Sequence, residues 1–213
     1  FFSEYNFTID ENDPDDAEVG IDPEMLGHIF ENLLEDNKDK GAFYTPKEIV
    51  QYMCKESIVQ YLTTHAEEKL HNAIRKLIVE GIVCPELQTK VVANKIYDLL
   101  KSVKICDPAI GSGAFPMGAL NVLYHTRRVL FGFLKSSENF SHAQVKREII
   151  QQNIFGVDIE QGAVDIARLR FWLALVVDET EPQPLPNLDY KIMCGNSQLC
   201  RYSLNMPIKS VFV

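Results

Sequence analysis

The sequence predicts an α/β fold in which a mostly parallel sheet carries helices on both faces and is preceded by a helical region. Short apolar stretches alternate along the second half of the chain with longer segments of helical periodicity. Such alternation is typical of strand–helix–strand units, so the strands are expected to run parallel. The strand candidates are residues 103–106, 153–160 and 190–194.

The helix candidates are recognised by apolar residues spaced three and four apart and by residues that favour helix starts. A first helix is expected from Pro23. Thr45 is expected to cap a second helix whose first residue is Pro46, with Glu48 completing a capping box. Ser141 is expected to cap a later one. The other predicted helices span residues 66–80, 86–101, 114–134, 142–152 and 163–177.

The acidic charge of the chain is concentrated at its beginning. The formal net charge is -9, but residues 1–40 carry 13 acidic residues and 2 lysines, so residues 41–213 carry a net charge of +2. We expect residues 1–22 to form an acidic mobile leader. The remainder is compatible with a polyanionic partner, although it shows no basic stripe that would require one.

Composition predicts a reduced, cytoplasmic protein without a metal site. The five cysteines are scattered and none forms a CxxC pair, which argues against a disulfide framework and against zinc. The sequence has no run of about 18 apolar residues and no secretion signal, so neither a membrane partner nor export is expected. Phe1 in place of methionine and Val213 within an apolar run indicate a piece of a longer protein.

The most informative stretch is a glycine turn between the first strand candidate and a long helix candidate. The strand ends near Asp107, and Gly111 and Gly113 follow. Glycine permits positive φ and close approach of a ligand, and the first N–H groups of the helix point at that ligand. Because ligands bind at the carboxyl ends of parallel strands, Asp158 and Asn196 would lie beside the turn. This set predicts a nucleoside-binding site.

Two classes of nucleoside ligand compete for this site, dinucleotides such as NAD and S-adenosylmethionine (SAM). The dinucleotide fingerprint has a third glycine, but the three residues after Gly113 contain none. Asp107 would repel a pyrophosphate and attract the ammonium group of methionine. Gly113 and Asp158 are 45 residues apart, against about 20 residues in the dinucleotide fingerprint. These features favour SAM.

Four ordered motifs resemble those of the adenine-N6-specific DNA methyltransferases of restriction–modification systems, in the order of their γ class. Residues 107–115 (DPAIGSGAF) resemble the SAM-binding motif, and residues 41–46 (GAFYTP) resemble the TP motif that precedes it. Residues 156–170 look like the second motif, and residues 195–197 (GNS) look like the third. The resemblance covers about residues 24–213.

The resemblance implies a Rossmann-like SAM-dependent methyltransferase fold and a division of the chain into three parts. Residues 1–22 would be the acidic leader, and residues 23–102 the helical region that includes the TP motif. Residues 103–213 would be the SAM-binding domain, cut before the catalytic motif.

The resemblance also implies roles for matching residues. The TP motif and Asp107 would hold the methionine end of SAM, and Phe115 would pack nearby or belong to the core. Asp158 would bind the ribose hydroxyls, with Glu160 a weaker candidate, and Asn196 would face the adenine. The expected cofactor-binding residues are Tyr44, Thr45, Pro46, Asp107, Pro108, Ala109, Gly111, Gly113, Phe115, Asp158, Ile159, Asn196 and Ser197.

The family's catalytic tetrapeptide, (Asn/Asp/Ser)-Pro-Pro-(Tyr/Phe), does not occur in this sequence. In the family, this tetrapeptide orients the adenine N6 amine and stacks on the flipped base. SAM brings an activated methyl group, so no metal is expected. By family order the tetrapeptide would follow residue 213, so this piece is predicted to bind SAM without transferring a methyl group, and no catalytic residue is assigned.

For the parent protein, the resemblance implies methylation of adenine in double-stranded DNA. An endonuclease and a target-recognition domain are candidates for fused or associated partners. The alternatives are the same fold acting on RNA or protein, a noncatalytic SAM- or DNA-binding module and, more remotely, a dehydrogenase.

Overall fold

A computed structural model describes residues 45–134, 139–177, 187–188 and 190–198. Short 3₁₀ helices precede the second and third α-helices, at Glu68–Leu70 and Pro85–Leu87. The α-helices and strands within the described residues are, in order, α1 Lys47–Thr64, α2 His71–Glu80, α3 Lys90–Ser102, β1 Ile105–Asp107, α4 Ala114–Leu134, α5 His142–Gln152, β2 Ile154–Asp158, α6 Gln161–Val176 and β3 Ile192–Cys194.

The three strands form one parallel sheet in the order β1-β2-β3, which confirms the predicted strand direction. Ile105 lies beside Ile154 across the first pair, and Gly156 lies beside Ile192 across the second. Parallel neighbours need crossover connections. Here α4 and α5 connect β1 to β2, and α6 connects β2 to β3. The carboxyl ends of all three strands therefore lie at one edge of the sheet.

Helices α4 and α6 cover one face of this sheet. Helix α4 packs against β1 and β2, helix α6 packs against β2 and β3, and the two helices contact each other. Ile154 and Ile192 are buried, whereas Cys106 and Met193 are exposed. Since successive strand residues point to opposite faces, the second face is open. Within the described ranges, helices therefore cover one face of the sheet, whereas helices were predicted on both faces.

The helical region packs chiefly on other helices. Helices α1, α2 and α3 all contact α4, and α3 also contacts α5. Leu62, Ile74 and Leu100 are fully buried in this layer. No helix that the structure describes is long and apolar enough to cross a lipid bilayer.

The predicted bounds of α4 and α5 are confirmed, whereas the predicted start of α1 is wrong. Helix α4 begins and ends as predicted, and the Ser141 hydroxyl accepts a hydrogen bond from Gln144 N. Pro46 is the N-cap of α1 and not its first helical residue, because its ψ of 142° is extended and its carbonyl accepts from Val50 N. No side chain caps this helix end, so neither Thr45 nor a capping box does so. The predicted helix from Pro23 lies outside the described residues.

The strands are shorter than predicted. Val103 still donates its N–H to the Leu99 carbonyl and closes α3, so β1 begins two residues later than expected, at Ile105. Asn153 closes α5 in the same way, through its N–H to the Ile149 carbonyl. Helix ends thus occupy positions that apolar composition alone assigned to strands.

Candidate functional site

The glycine turn after β1 has the backbone conformation that its sequence predicts. Gly111 and Gly113 have positive φ values of 54° and 91°. A Cβ added to Gly113 would lie 3.2 Å from the Ala167 Cβ of α6. Glycine is therefore favoured at this position both by its positive φ and by the lack of room for a side chain. Ile110 N donates to the Val157 carbonyl at 3.0 Å, which fixes the turn beside β2.

Asp107 ends β1 and begins the turn. Its Oδ1 accepts a hydrogen bond from Ala109 N at 3.0 Å. Burial raises the pKa of Asp107, the Ala109 N–H opposes this shift, and the nearby carboxylate of Asp158 adds to it. Two acidic side chains thus converge at this edge, and a cation bound between them would be favoured.

Asp158 ends β2 and holds the turn with its carboxylate. Its Oδ2 accepts from Gly111 N at 2.7 Å, and its Oδ1 accepts from Glu160 N at 3.0 Å. A carboxylate has about four acceptor positions, so each oxygen can accept one further hydrogen bond. The next side chain, Ile159, is 71% exposed and gives this edge an apolar surface.

The segment after β3 lies beside Asp158. Gly195 N donates to the Asp158 carbonyl at 2.8 Å. Asn196 and Ser197 are exposed, and the Asn196 Oδ1 accepts from Gln198 N at 2.9 Å. The structure therefore brings the predicted residues of all three strand ends to one edge of the sheet.

Thr45 and Pro46, the described residues of the TP motif, are not hydrogen-bonded to the turn. Thr45 is half-buried and Pro46 is exposed just before α1. Tyr44 lies outside the described residues. Helix α1 is linked to the turn by packing on α4, where Cys54 Sγ donates to the Phe115 carbonyl at 3.4 Å. Phe115 is half-buried in the first turn of α4.

A cavity of about 400 Å³ lies beside β1, between α1 and α4, and its walls are mainly apolar. Asp107, Pro108 and Phe115 border it, but the glycines of the turn and Asp158 do not. It therefore meets the predicted cofactor site at one end only. Cys54 lines the same cavity, and burial, with a smaller effect from Asp107, raises the pKa of its thiol to about 11.

Two arginines of α6 support the site although neither was among the predicted cofactor-binding residues. Arg170 donates to the Ser112 carbonyl at 3.0 Å, and Arg168 donates to the Ile192 carbonyl through two nitrogens, at 2.7 Å and 3.2 Å. Both belong to a helix that is apolar almost all round. A charged side chain on such a helix needs buried acceptors, and this was the signal available in the sequence.

Comparison with known proteins identifies relatives of the chain. No family model matches it. It is 33% identical over 217 residues to a protein of Methanocaldococcus jannaschii named as a type II restriction enzyme and methyltransferase, RM.MjaORFECS2P, and the match covers 92% of this chain and 18% of that protein. The chain is therefore a relative of the restriction–modification methyltransferases over most of its length. With the two relatives below, this confirms the resemblance of its motifs to the adenine-specific methyltransferases of that type.

Two further relatives are more distant. The adenine-specific methyltransferase BrxX of Escherichia coli O9:H4 is 25% identical over 160 residues, covering 68% of this chain and 13% of BrxX. The adenine-specific methyltransferase PglX of Lacticaseibacillus casei is 23% identical over 183 residues, covering 75% of this chain and 14% of PglX. The chain spans less than a fifth of the length of each of these relatives.

Proposed function

We propose that this chain is the cofactor-binding part of an enzyme that transfers a methyl group from SAM to the N6 amine of adenine in double-stranded DNA. One observation carries the proposal. Asp107, Asp158 and the positive-φ glycine turn meet at the carboxyl edge of a parallel sheet, where nucleoside ligands bind. Similarity to the adenine-specific methyltransferases supports SAM over a dinucleotide.

The methionine end of SAM would lie against Asp107. Burial and the Asp158 carboxylate disfavour the charged form of Asp107, and a bound ammonium group would relieve that cost. Pro108 and Ala109 are exposed beside Asp107. Gly111 leaves open space that would admit the amino-acid end of SAM. The TP motif would complete this side.

The nucleoside end would lie along the ends of β2 and β3. The two unused acceptor positions of Asp158 suit the hydroxyls of a ribose diol. Ile159 would pack on the adenine ring with its exposed side chain. Asn196 would accept from the adenine amine through the second lone pair of Oδ1, with Ser197 alongside.

SAM, when bound, supplies an activated methyl group, and the residues of this chain hold and orient it. Orientation of the amine that receives the methyl belongs to the catalytic tetrapeptide, which is absent from the sequence. The 213 residues are therefore expected to bind the cofactor without completing the transfer. An endonuclease and a target-recognition domain, fused or associated, are the further partners that we propose.

Calorimetric titration of the chain with SAM and with NAD tests the cofactor. We expect SAM to bind and NAD not to bind, with SAM affinity strongly reduced by Asp158→Asn. Asp165→Asn is the matched control, because Asp165 is an exposed acid of α6 that bonds Gln161. Binding of NAD without SAM would overturn the proposal. Tritium transfer from labelled SAM to DNA by the 213 residues alone would contradict the proposal that they bind SAM without transferring its methyl group.

The missing tetrapeptide also favours a second candidate, a noncatalytic SAM- or DNA-binding module. The two candidates predict different properties of the parent protein. A tetrapeptide of the family type beyond residue 213, together with methylation of DNA by the whole protein, supports the enzyme. Parallel assays with RNA and with protein substrates test the remaining alternative, that the same fold methylates RNA or protein.

A further inference from the structure

Arg170 is a buried cation in the middle of α6. Its side chain is 4% exposed, and its neighbours Ala167 and Phe171 are fully buried. Removing a guanidinium from water is costly unless acceptors receive its protons. The acceptors found here belong to the glycine turn: Nη1 donates to the Ser112 carbonyl at 3.0 Å and approaches the Ser112 Oγ at 3.4 Å.

The Ser112 carbonyl lies at the centre of the turn. Ser112 stands between two glycines of positive φ, just before α4 begins. Ser112 is 4% exposed. A buried carbonyl without a donor would destabilise this conformation, and the Arg170 guanidinium supplies a charge-assisted hydrogen bond.

The same face of α6 contacts the next residue of the turn. Ala167 precedes Arg170 by three positions, so the two side chains share a helix face. Ala167 packs closely on Gly113, since a Cβ added to Gly113 would lie 3.2 Å from the Ala167 Cβ. From the other side, Asp158 holds Gly111 N at 2.7 Å. The turn is therefore fixed between β2 and α6.

We infer that Arg170 is a positioning residue for the cofactor, which acts by fixing the Ser112 carbonyl and through it the shape of the turn. The inference rests on the proposed function, because it assigns to Arg170 part of the affinity for SAM. Arg170 does not touch the cofactor in this account. It would hold the backbone around the open Gly111 position, where the ligand would lie.

The experiment compares Arg170→Met and Arg170→Lys with a matched control, Arg127→Met, in the whole protein. Arg127 is also buried, at 2% exposure, but it lies in α4, pairs with Glu148 at 2.7 Å and stacks over the Tyr97 ring. Both methionine variants remove a buried guanidinium, and only one of them touches the turn. Urea unfolding gives the stability of each variant, so that global and local effects are separated.

The first readout is amide hydrogen exchange at Ile110, Gly111 and Gly113, which needs no ligand. These amides are hydrogen-bonded to Val157, Asp158 and Ile110 respectively. In Arg170→Met we expect their exchange to accelerate by on the order of tenfold beyond the change expected from global stability. Arg127→Met should show no such excess, and Arg170→Lys should restore part of the protection. Equal exchange at the turn in the two methionine variants would overturn the inference.

The second readout is SAM binding and turnover. We expect Arg170→Met to raise the KM and the Kd for SAM on the order of tenfold with little change in kcat, and Arg127→Met to leave all three values near wild type. An unchanged Kd in Arg170→Met would overturn the inference while the proposed function stands. Wild-type protein that binds no SAM would overturn the proposed function, and hydrogen exchange would still decide whether Arg170 holds the turn.

Discussion

Asp107 and Asp158 show how two carboxylates of one sheet edge can have different environments. Asp158 accepts two backbone N–H groups, from Gly111 and Glu160, and so ties β2 to the turn. Asp107 accepts one, from Ala109, and burial raises its pKa. Asp158 is therefore tied to the backbone by two hydrogen bonds, whereas the ionised form of Asp107 gains most from a bound cation.

Asp107→Asn is expected to stabilise the free protein at neutral pH and to weaken SAM binding. Because the folded-state pKa of Asp107 is raised, its contribution to stability is present below the ordinary aspartate pKa and is lost as pH rises through the raised value. The amide has no charge to bury and keeps an acceptor for Ala109 N. Thermal unfolding from pH 3 to pH 8 should show the advantage of the variant growing with pH.

The matched control for this prediction is Asp165→Asn, since Asp165 is exposed on α6. Calorimetry on the same samples should show that wild-type affinity for SAM rises with pH as Asp107 ionises, and that this rise is absent in Asp107→Asn. A variant that is less stable than wild type at pH 8, or that binds SAM as tightly, would contradict the environment described for Asp107.

Residue types predicted the geometry of the candidate site where few residues would fit. Gly111 and Gly113 were predictable because few other residues adopt positive φ at low cost, and the place of Asp158 beside them because it ends the neighbouring parallel strand. Arg170 was not predictable in its role. Its partner is a backbone carbonyl 58 positions away, and backbone acceptors leave no mark on the sequence.

Among the elements, the packing of α1 on α4 connects the helical region to the helix that follows the turn. A Cβ added to Gly118 would lie 2.5 Å from Val50 Cγ1 and 3.1 Å from Cys54 Sγ. One helical turn earlier in α4, the Phe115 carbonyl accepts from Cys54 Sγ. Glycine in a helix interior costs stability, and here it permits the two helices to pack closely.

Gly118→Val is expected to destabilise the fold by about 1–3 kcal/mol, because the new side chain overpacks the helix contact. Gly132→Val is the matched control, since Gly132 lies in the same helix with nothing within 4 Å of an added Cβ. Both variants carry the same helix-propensity change, so the difference in urea unfolding isolates the packing effect. Equal stability of the two variants would contradict the close packing of α1 on α4.

Helix α4 was predictable in full because a glycine turn precedes a long apolar segment. The start of α1 was not, because Thr45 and Pro46 fit a capping box in sequence while the ψ of 142° places Pro46 outside the helix. The first residues assigned to β1 were likewise misplaced, since Val103 completes the last turn of α3. Local composition thus identified elements, and hydrogen bonding decided where they begin and end.

At the scale of the whole molecule, the described residues cover one face of the sheet and leave the other open. Helices α4 and α6 bury the first face, while Cys106 and Met193 are exposed on the second. Parallel sheets are normally buried on both faces. Since the chain spans 18% of its Methanocaldococcus jannaschii relative, we propose that residues outside the described part cover this face in the whole protein.

Thiol labelling tests this arrangement with the cysteines already in the chain. Cys106 lies on the open sheet face, whereas Cys54 is buried between α1 and α4 with a thiol pKa of about 11. Because the thiolate is the reactive form, about one Cys54 in a thousand is reactive at pH 8 even before access is considered. A brief iodoacetamide pulse on the folded 213-residue chain, followed by peptide mass spectrometry, should label Cys106 and spare Cys54.

The same pulse in urea is the control, because unfolding should remove the difference between the two thiols. In the whole protein, covering of the open face should slow the labelling of Cys106. Cys54 should stay protected both in the 213-residue chain and in the whole protein. Labelling of Cys54 as fast as Cys106 in the folded chain would contradict the packing of α1 on α4. Equal labelling of Cys106 in the 213-residue chain and in the whole protein would show that the second face remains open, and the sheet would then be one-sided in the enzyme itself.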